Sequence, residues 1–223
     1  ASEADTFAVL AMRDRQPVIA CVDAASCRIA DGLSLADDPK DDVIFDGVPT
    51  TDAVDAPDAF DANSLLMMGA LARSCGMAGA LEAMLDISVT YSQDRVAFER
   101  PISKFQAVQH NLARLAGEVA AAVCAAASAA DALQRAGTFD DEVFFEIAAA
   151  KIRVGEAAGE GAGIAHQVHG AIGFTMEHIL QRYSRRVWSW RDEFGSESAW
   201  AVRLGEAVAA NGGDELWASL AAR

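Results

Sequence analysis

Three stretches of this 223-residue chain gather side chains that could do chemistry. Residues 91–106 place Arg95, Arg100 and Lys104 close together on a chain whose net charge is −15. Arginine offers two parallel hydrogen bonds to a phosphate or carboxylate, so an anionic group such as a pyrophosphate could sit there. Helix N-terminal N–H groups after Pro101 would add to that pull. The same charges would also suit a solvated turn that follows a helix C-terminus. Residues 167–175 hold Gly170 and Gly173 behind an apolar helical pattern. Glycine there ends a helix and lets backbone approach a planar or anionic ligand, or makes a plain turn.

The third stretch, residues 183–197, sets Asp192 and Glu193 among Trp188, Trp190 and Phe194, just ahead of Gly195. A carboxylate among aromatic groups is desolvated, which raises its proton affinity toward neutrality. A general base that removes a carbon-bound proton needs that property. Two acids at this place would equally suit an exposed helix start. His166 and His169 are three apart, so a zinc-binding pair at helical spacing of four is absent, and His169 reads as structural.

These stretches must be positioned by regular elements. The apolar runs 7–12 and 18–22, joined by a polar link containing Pro17, predict adjacent strands or a hairpin. A third strand is expected within 42–49. From Asp61 the period changes: Leu65, Met68, Leu71, Ala72, Cys75, Ala78, Gly79 and Ala83 recur at steps of three and four. That predicts a helix over about 62–95. A second, started by Pro101, runs to about 135, and a third covers about 140–168 with Phe144, Ile147, Ala148, Ile152, Gly155 and Ala158 on one face. Shorter helices are expected at 176–187, 196–210 and 214–221. The fold class is therefore mostly α, an antiparallel four-helix-type bundle preceded by a partial β domain. Small inner residues predict close packing of the helix axes.

Composition narrows the partners. Residues 1–60 hold 13 acidic and four basic residues, a net of −9, and the other 163 carry −6, so a break is expected near residue 60. The acidic balance argues against nucleic acid. The longest apolar run, 120–130, is too short to span a membrane. The N-terminus lacks a basic signal-peptide region, and Cys21, Cys27, Cys75 and Cys124 have no metal spacing. The expectation is a cytoplasmic protein with reduced, buried or inert thiols and no metal.

The order and wording of the three stretches resemble the flavin-dependent acyl-CoA dehydrogenase family across residues 60–200. The likeness rests on Tyr91, Arg95, Phe98, Pro101, Ile102, Phe105 and Gln106, then on Gln167, Val168, His169, Gly170, Gly173 and Phe174. Glu99, Ala171 and Phe194 stand where the family usually has glycine. Residues 1–56 resemble the second half of that family's middle β domain, with Phe45-Asp46-Gly47-Val48 ahead of the helices, and residues 57–223 its helical domain.

The resemblance implies FAD as cofactor. Arg95, Phe98 and Gln106 would face its pyrophosphate and adenine end, held mainly by a neighbouring subunit. Gln167, Val168 and Gly170 would line the same cofactor across the dimer interface, and Thr175 would approach its ribityl or phosphate end. Glu193 would be the catalytic base in α,β-dehydrogenation of an acyl-CoA thioester, with Ser196 and Glu197 matching the motif that follows. The first-helix position that carries the base in other members is Gly69, and the neighbouring position, often arginine, is Ala70. An acyl-CoA substrate, an electron-transfer acceptor and a homo- or hetero-oligomer, a dimer of dimers, are implied as partners. The family's opening helical domain and first strands have no counterpart here, so a truncated chain is expected. The alternative is a non-catalytic subunit that completes the FAD site of a heteromer, as among members acting on sterol side chains.

Overall fold

The computed structural model describes residues 1 and 3–221. The chain forms two units, Ala1–Met68 and Gly69–Arg223, and the division falls inside its first long helix.

In the first unit β1 (Thr6–Arg13) and β2 (Gln16–Asp23) form an antiparallel hairpin, in register from Thr6 opposite Asp23 to Arg13 opposite Gln16. The two turn residues Asp14 and Arg15 have φ of 51° and 67°. Positive φ at both positions gives the turn a twist that matches paired strands. Pro17 therefore lies inside β2, opposite Met12, and not in the link. Val18, Ala20 and Val22 are buried at every second position, as a pleated strand requires. β5 (Asp52–Asp55) pairs with the other edge of β2. β3 (Arg28–Ala30) and β4 (Asp42–Ile44) make a separate pair. The strand expected over 42–49 is thus cut to three residues. β3 and β5 are too short to show a period in sequence.

The second unit is helical. α1 (Ala62–Asp94), α2 (Gln106–Ala136), α3 (Asp141–His169) and α4 (Leu180–Asp192) form the bundle, and α5 (Glu197–Asn211) and α6 (Leu216–Ala221) follow. Their shared core contains Met77, Leu81 and Met84 of α1, Leu115 and Val119 of α2, Val154 and Ala158 of α3, and Leu180 and Val187 of α4. A Cβ on Gly161 would lie 2.8 Å from Leu81 and 3.1 Å from Leu115, so glycine permits that three-helix contact.

The ends have local causes. Gly137, at φ 66°, closes α2, and its N–H donates to the Leu133 carbonyl. The Asp140 carboxylate accepts from the Val143 N–H at 2.9 Å and starts α3, with Asp141 and Glu142 in the first turn. Pro101 does not start α2. It sits in β7 (Arg100–Pro101), paired with β6 (Val96–Ala97), and a 3-10 turn over Ile102–Lys104 comes before the helix.

Two further expectations need correction. Uninterrupted apolar runs are short, but alanine-rich windows broken by single polar residues make α1 and α2 long and apolar enough to cross a membrane by length and composition alone. More than half of the α1 window is buried inside the protein, the condition of a core helix. Cys75 and Cys124 are exposed, and Cys21 and Cys27 half-buried, so the thiols are free but not uniformly buried.

Removing the α3 cap should be measurable. Asp140→Ala is expected to lower unfolding free energy by about 1 kcal/mol in urea denaturation, with an unchanged m-value.

Candidate functional site

α4 ends at Asp192, and Glu193 is the first residue beyond it, with extended backbone (φ −72°, ψ 136°). The chain then turns through Phe194 at φ 55° and Gly195 at φ 94° before Ser196 caps α5. A phenylalanine in the left-handed region costs about 1–2 kcal/mol. Its ring lies against α1, where a Cβ on Gly69 would come within 2.2 Å of it. Phe194 and any side chain at position 69 therefore exclude each other.

The Glu193 carboxylate is mostly buried, 14% exposed. It pairs with Arg73 of α1, Nε to Oε2 at 2.5 Å, and the Ser189 hydroxyl reaches Oε1 at 3.4 Å. The Arg73 guanidinium in turn lies over the Trp190 ring, 5.3 Å from its centre. The expectation from sequence is a carboxylate desolvated by aromatic groups; the structure instead pairs Glu193 with a cation, Arg73, three residues along α1 from Ala70. Asp192, the neighbouring acid, is exposed.

The turn is held from behind by α3. Lys151, fully buried, donates from Nζ to the carbonyls of Arg191 at 2.6 Å and Gly195 at 2.7 Å, and more weakly to that of Trp190 at 3.5 Å. Those of Trp190 and Arg191 are among the carbonyls that a helix leaves without partners at its C-terminus, and that of Gly195 belongs to the turn beyond it. Burial pulls the Lys151 pKa down from 10.5 to about 8, opposed by the charges of Glu197 and Asp192. Four and eight residues further along the same face, Gly155 and Gly159 leave a trough that takes the Arg191–Glu197 ion pair. A Cβ on Gly155 would stand 2.4 Å from Glu197 Cγ. From α5, the buried Trp200 donates its indole N–H to the Phe194 carbonyl at 2.8 Å.

The other expected site residues gather at the opposite end of α3. The Tyr91 ring stacks on His169 at 4.4 Å and its hydroxyl donates to the His169 carbonyl, tying the end of α1 to the end of α3. Just beyond, Arg95 is exposed, and Phe98 is 90% exposed at the tip of the β6–β7 hairpin. Phe98 and Glu99 have φ of 50° and 66°, so Glu99 adopts the conformation that the family's glycine would take freely. Gln106 opens α2 and is exposed.

Gln167 and Gly170 border a cavity of about 400 Å³ with Gly163, His166, Ala171, Phe174 and Trp188. Val168 faces the other way and is buried. The Gly170 N–H is used in closing α3, on the His166 carbonyl, and the Thr175 N–H and hydroxyl both donate to the Ile172 carbonyl. Those amides are thus engaged within the turn. His166 lies between the rings of Phe174 (3.9 Å) and Trp188 (5.5 Å), and its Nε2 meets the Ser184 hydroxyl at 2.8 Å. Burial lowers the pKa of both His166 and His169.

Along α3, Gly155 and Gln167 are separated by about 18 Å of helix rise. Glu193 and the Gln167–Thr175 turn therefore belong to two different levels of the bundle. At the second level, exposed guanidinium groups, a side-chain amide and an aromatic-walled cavity fit an anionic dinucleotide in kind. Among the described residues no group of His, Cys, Asp or Glu could hold a metal ion.

Sequence reasoning missed Lys151, Trp200, Arg73 and the His166 sandwich. Only Lys151 left a signal. It falls four residues from both Ile147 and Gly155, in the middle of the apolar stripe of α3.

Two substitutions test this architecture in urea denaturation. Gly155→Ala should destabilise by about 1–3 kcal/mol, although alanine is the better helix former, because Glu197 must move. Lys151→Met should cost about 2–4 kcal/mol, since it leaves buried carbonyls without a donor.

The family described as "Acyl-CoA dehydrogenase, C-terminal domain" matches residues 61–197. Acyl-CoA dehydrogenase IpdE2 of Mycolicibacterium smegmatis is 35% identical over 127 residues, which are 57% of this chain and 38% of that protein. Glutaryl-CoA dehydrogenase of Desulfococcus multivorans is 34% identical over 115 residues, 52% of this chain and 29% of that one. The ChsE4-ChsE5 complex from Mycobacterium tuberculosis superposes with a TM-score of 0.75 at 25% identity, over 92% of this chain and 56% of that one. This chain spans about a third of the length of those two curated relatives. It belongs to the acyl-CoA dehydrogenase family, of which it carries the C-terminal helical domain.

Proposed function

We propose that this chain serves the α,β-dehydrogenation of an acyl-CoA thioester, with Glu193 as the base that takes the α-proton. The observation that carries the reading is the Glu193 carboxylate, mostly buried and fixed by Arg73 at the mouth of the α4–α5 turn. A proton acceptor gains from being held in place before the substrate arrives, because less reorganisation is left for the reaction. In the step, the α C–H bond breaks and its proton passes to a Glu193 oxygen. The electron pair left on Cα forms the new double bond as the β-hydrogen departs with its own pair. FAD, when bound, supplies the acceptor for that hydride. Arg73 holds the carboxylate, and Ser189 supplies a second polar contact to it.

Arg95, Phe98, Gln106, Gln167, Gly170 and Thr175 are read as facing the phosphate and adenine part of a cofactor. Val168 supports that wall from the core side. Their distance from Glu193 along α3 supports assigning them to the cofactor of a neighbouring copy, so that each site draws on two chains. The family's size supports residues 1–56 as the latter half of a middle β domain in a longer protein. An electron-transfer acceptor and an oligomer follow from the same reading, as does a cytoplasmic setting.

A second reading is favoured by Phe194. Its ring covers Gly69 and stands where the family usually has glycine, so the pocket beside Glu193 is reshaped. In that reading the chain is a non-catalytic subunit that completes the FAD site of a heteromer. The ChsE4-ChsE5 relative is, by its name, a complex of two proteins.

Glu193→Gln separates the two. Assayed in the complete flavin-loaded protein by flavin bleaching against a panel of acyl-CoAs, it should reduce the rate by about 10²–10⁴-fold with flavin retained. Unchanged turnover would sink the catalytic reading and leave the subunit reading.

A further inference from the structure

The turn that carries Glu193 is fixed by side chains of α3 and α5. The helix of α4 ends with its carbonyls pointing toward α3. An uncapped helix end frays, because its last four carbonyls lack partners. Here the Lys151 ammonium lies among three of the surrounding carbonyls, from Trp190, Arg191 and Gly195. The Arg191 and Gly195 carbonyls lie on either side of Glu193 in sequence. Joining them through one ammonium fixes the path of the three residues between, and with it the exit direction of the Glu193 side chain. Trp200 holds a further carbonyl of that loop, at Phe194. Gly155 and Gly159 let the loop lie against the helix backbone, with the Arg191–Glu197 pair in the trough.

The charges around the ammonium come from three elements: Asp192 and Arg191 of α4, Glu193 of the turn and Glu197 of α5. None of these acids forms its own hydrogen bond to Nζ in the way the carbonyls do; Glu193 is directed to Arg73 and Glu197 to Arg191. Lys151 is therefore used as a backbone clamp and not as an ion-pair partner. The strained φ of Phe194 fits this arrangement. Such conformations persist where the surroundings over-determine them.

We propose that Lys151, assisted by Trp200, is a positioning residue for the candidate base: it holds the Arg191–Gly195 loop so that the Glu193 carboxylate meets Arg73 and faces the substrate. This rests on the reading of Glu193 as the base. It makes α3, a helix that carries no reacting group, a determinant of the rate.

The test uses the complete flavin-loaded protein in five forms: unaltered, Lys151→Met, Trp200→Phe, Glu193→Gln, and Lys151→Met with Glu193→Gln. Stopped-flow flavin bleaching gives the reduction rate, and titration gives acyl-CoA affinity. Lys151→Met should slow reduction by about 10–100-fold with affinity within about twofold. Trp200→Phe should slow it less, by about 3–10-fold. The double variant should be no slower than Glu193→Gln alone, because a positioning residue has nothing left to position. Hydrogen exchange should rise over residues 191–197 in Lys151→Met while the α2–α3 core keeps its protection.

Full-rate reduction in Lys151→Met would overturn the proposal. So would losses that multiply in the double variant, or a fall in affinity that accounts for the slower rate. If Lys151→Met does not accumulate as folded protein, Trp200→Phe decides by the same rate and exchange criteria. Full activity in Glu193→Gln would remove the base reading itself and the proposal with it. Loss in Glu193→Gln with full activity in Lys151→Met and Trp200→Phe would remove the positioning claim alone.

Discussion

A single buried ammonium group organises the end of the bundle that carries Glu193. Lys151 has no exposed surface and lies among the carbonyls of Trp190, Arg191 and Gly195. Burying a charge is costly unless it is fully solvated by protein dipoles, and the end of a helix supplies such dipoles ready-aligned. The ammonium and the helix end each satisfy what the other lacks. From that contact the rest follows: α4 stops at Asp192, the chain reverses through Phe194 and Gly195, Ser196 starts α5, and Glu193 is delivered to Arg73.

Glycine on α3 makes this contact possible. Gly155 and Gly159 repeat at four-residue spacing from Lys151, so that one helix face presents an ammonium and then two gaps. The Arg191–Glu197 pair fills the gaps, and the loop lies closer to the helix than any larger side chain would allow. On α1, Gly69 does the same for the Phe194 ring. Two helices thus give up side chains where the turn needs room. The second level of α3 is built differently. There His166 and His169 are held by ring stacking with Phe174, Trp188 and Tyr91, and the cavity beside Gln167 is walled by aromatic faces.

The separation of these two levels bears on how a site is assembled. A long helix can carry two functional regions about 18 Å apart without bringing them into one pocket. Residues that share a motif list in sequence need not share a ligand from the same chain.

Much was legible in the residues themselves. The change of period at Asp61, the apolar repeats and the glycines after α2 and α3 are local physics, and they fixed the long helices to within a few residues. The three candidate stretches were visible because their residue types are unusual for their surroundings. The short strands β3 and β5 were not, because three or four residues cannot show a period. Pro101 misled, since a proline that fits a helix start fits a short paired strand equally well. The partners of Glu193 were out of reach for a different reason. Arg73, Lys151 and Trp200 lie 120, 42 and seven residues away in sequence, and which of them touches the turn depends on how four helices pack. Sequence alone determined the elements and named the carboxylate. Tertiary structure decided what holds it, because hydrogen bonds and ion pairs act across space and leave no spacing along the chain.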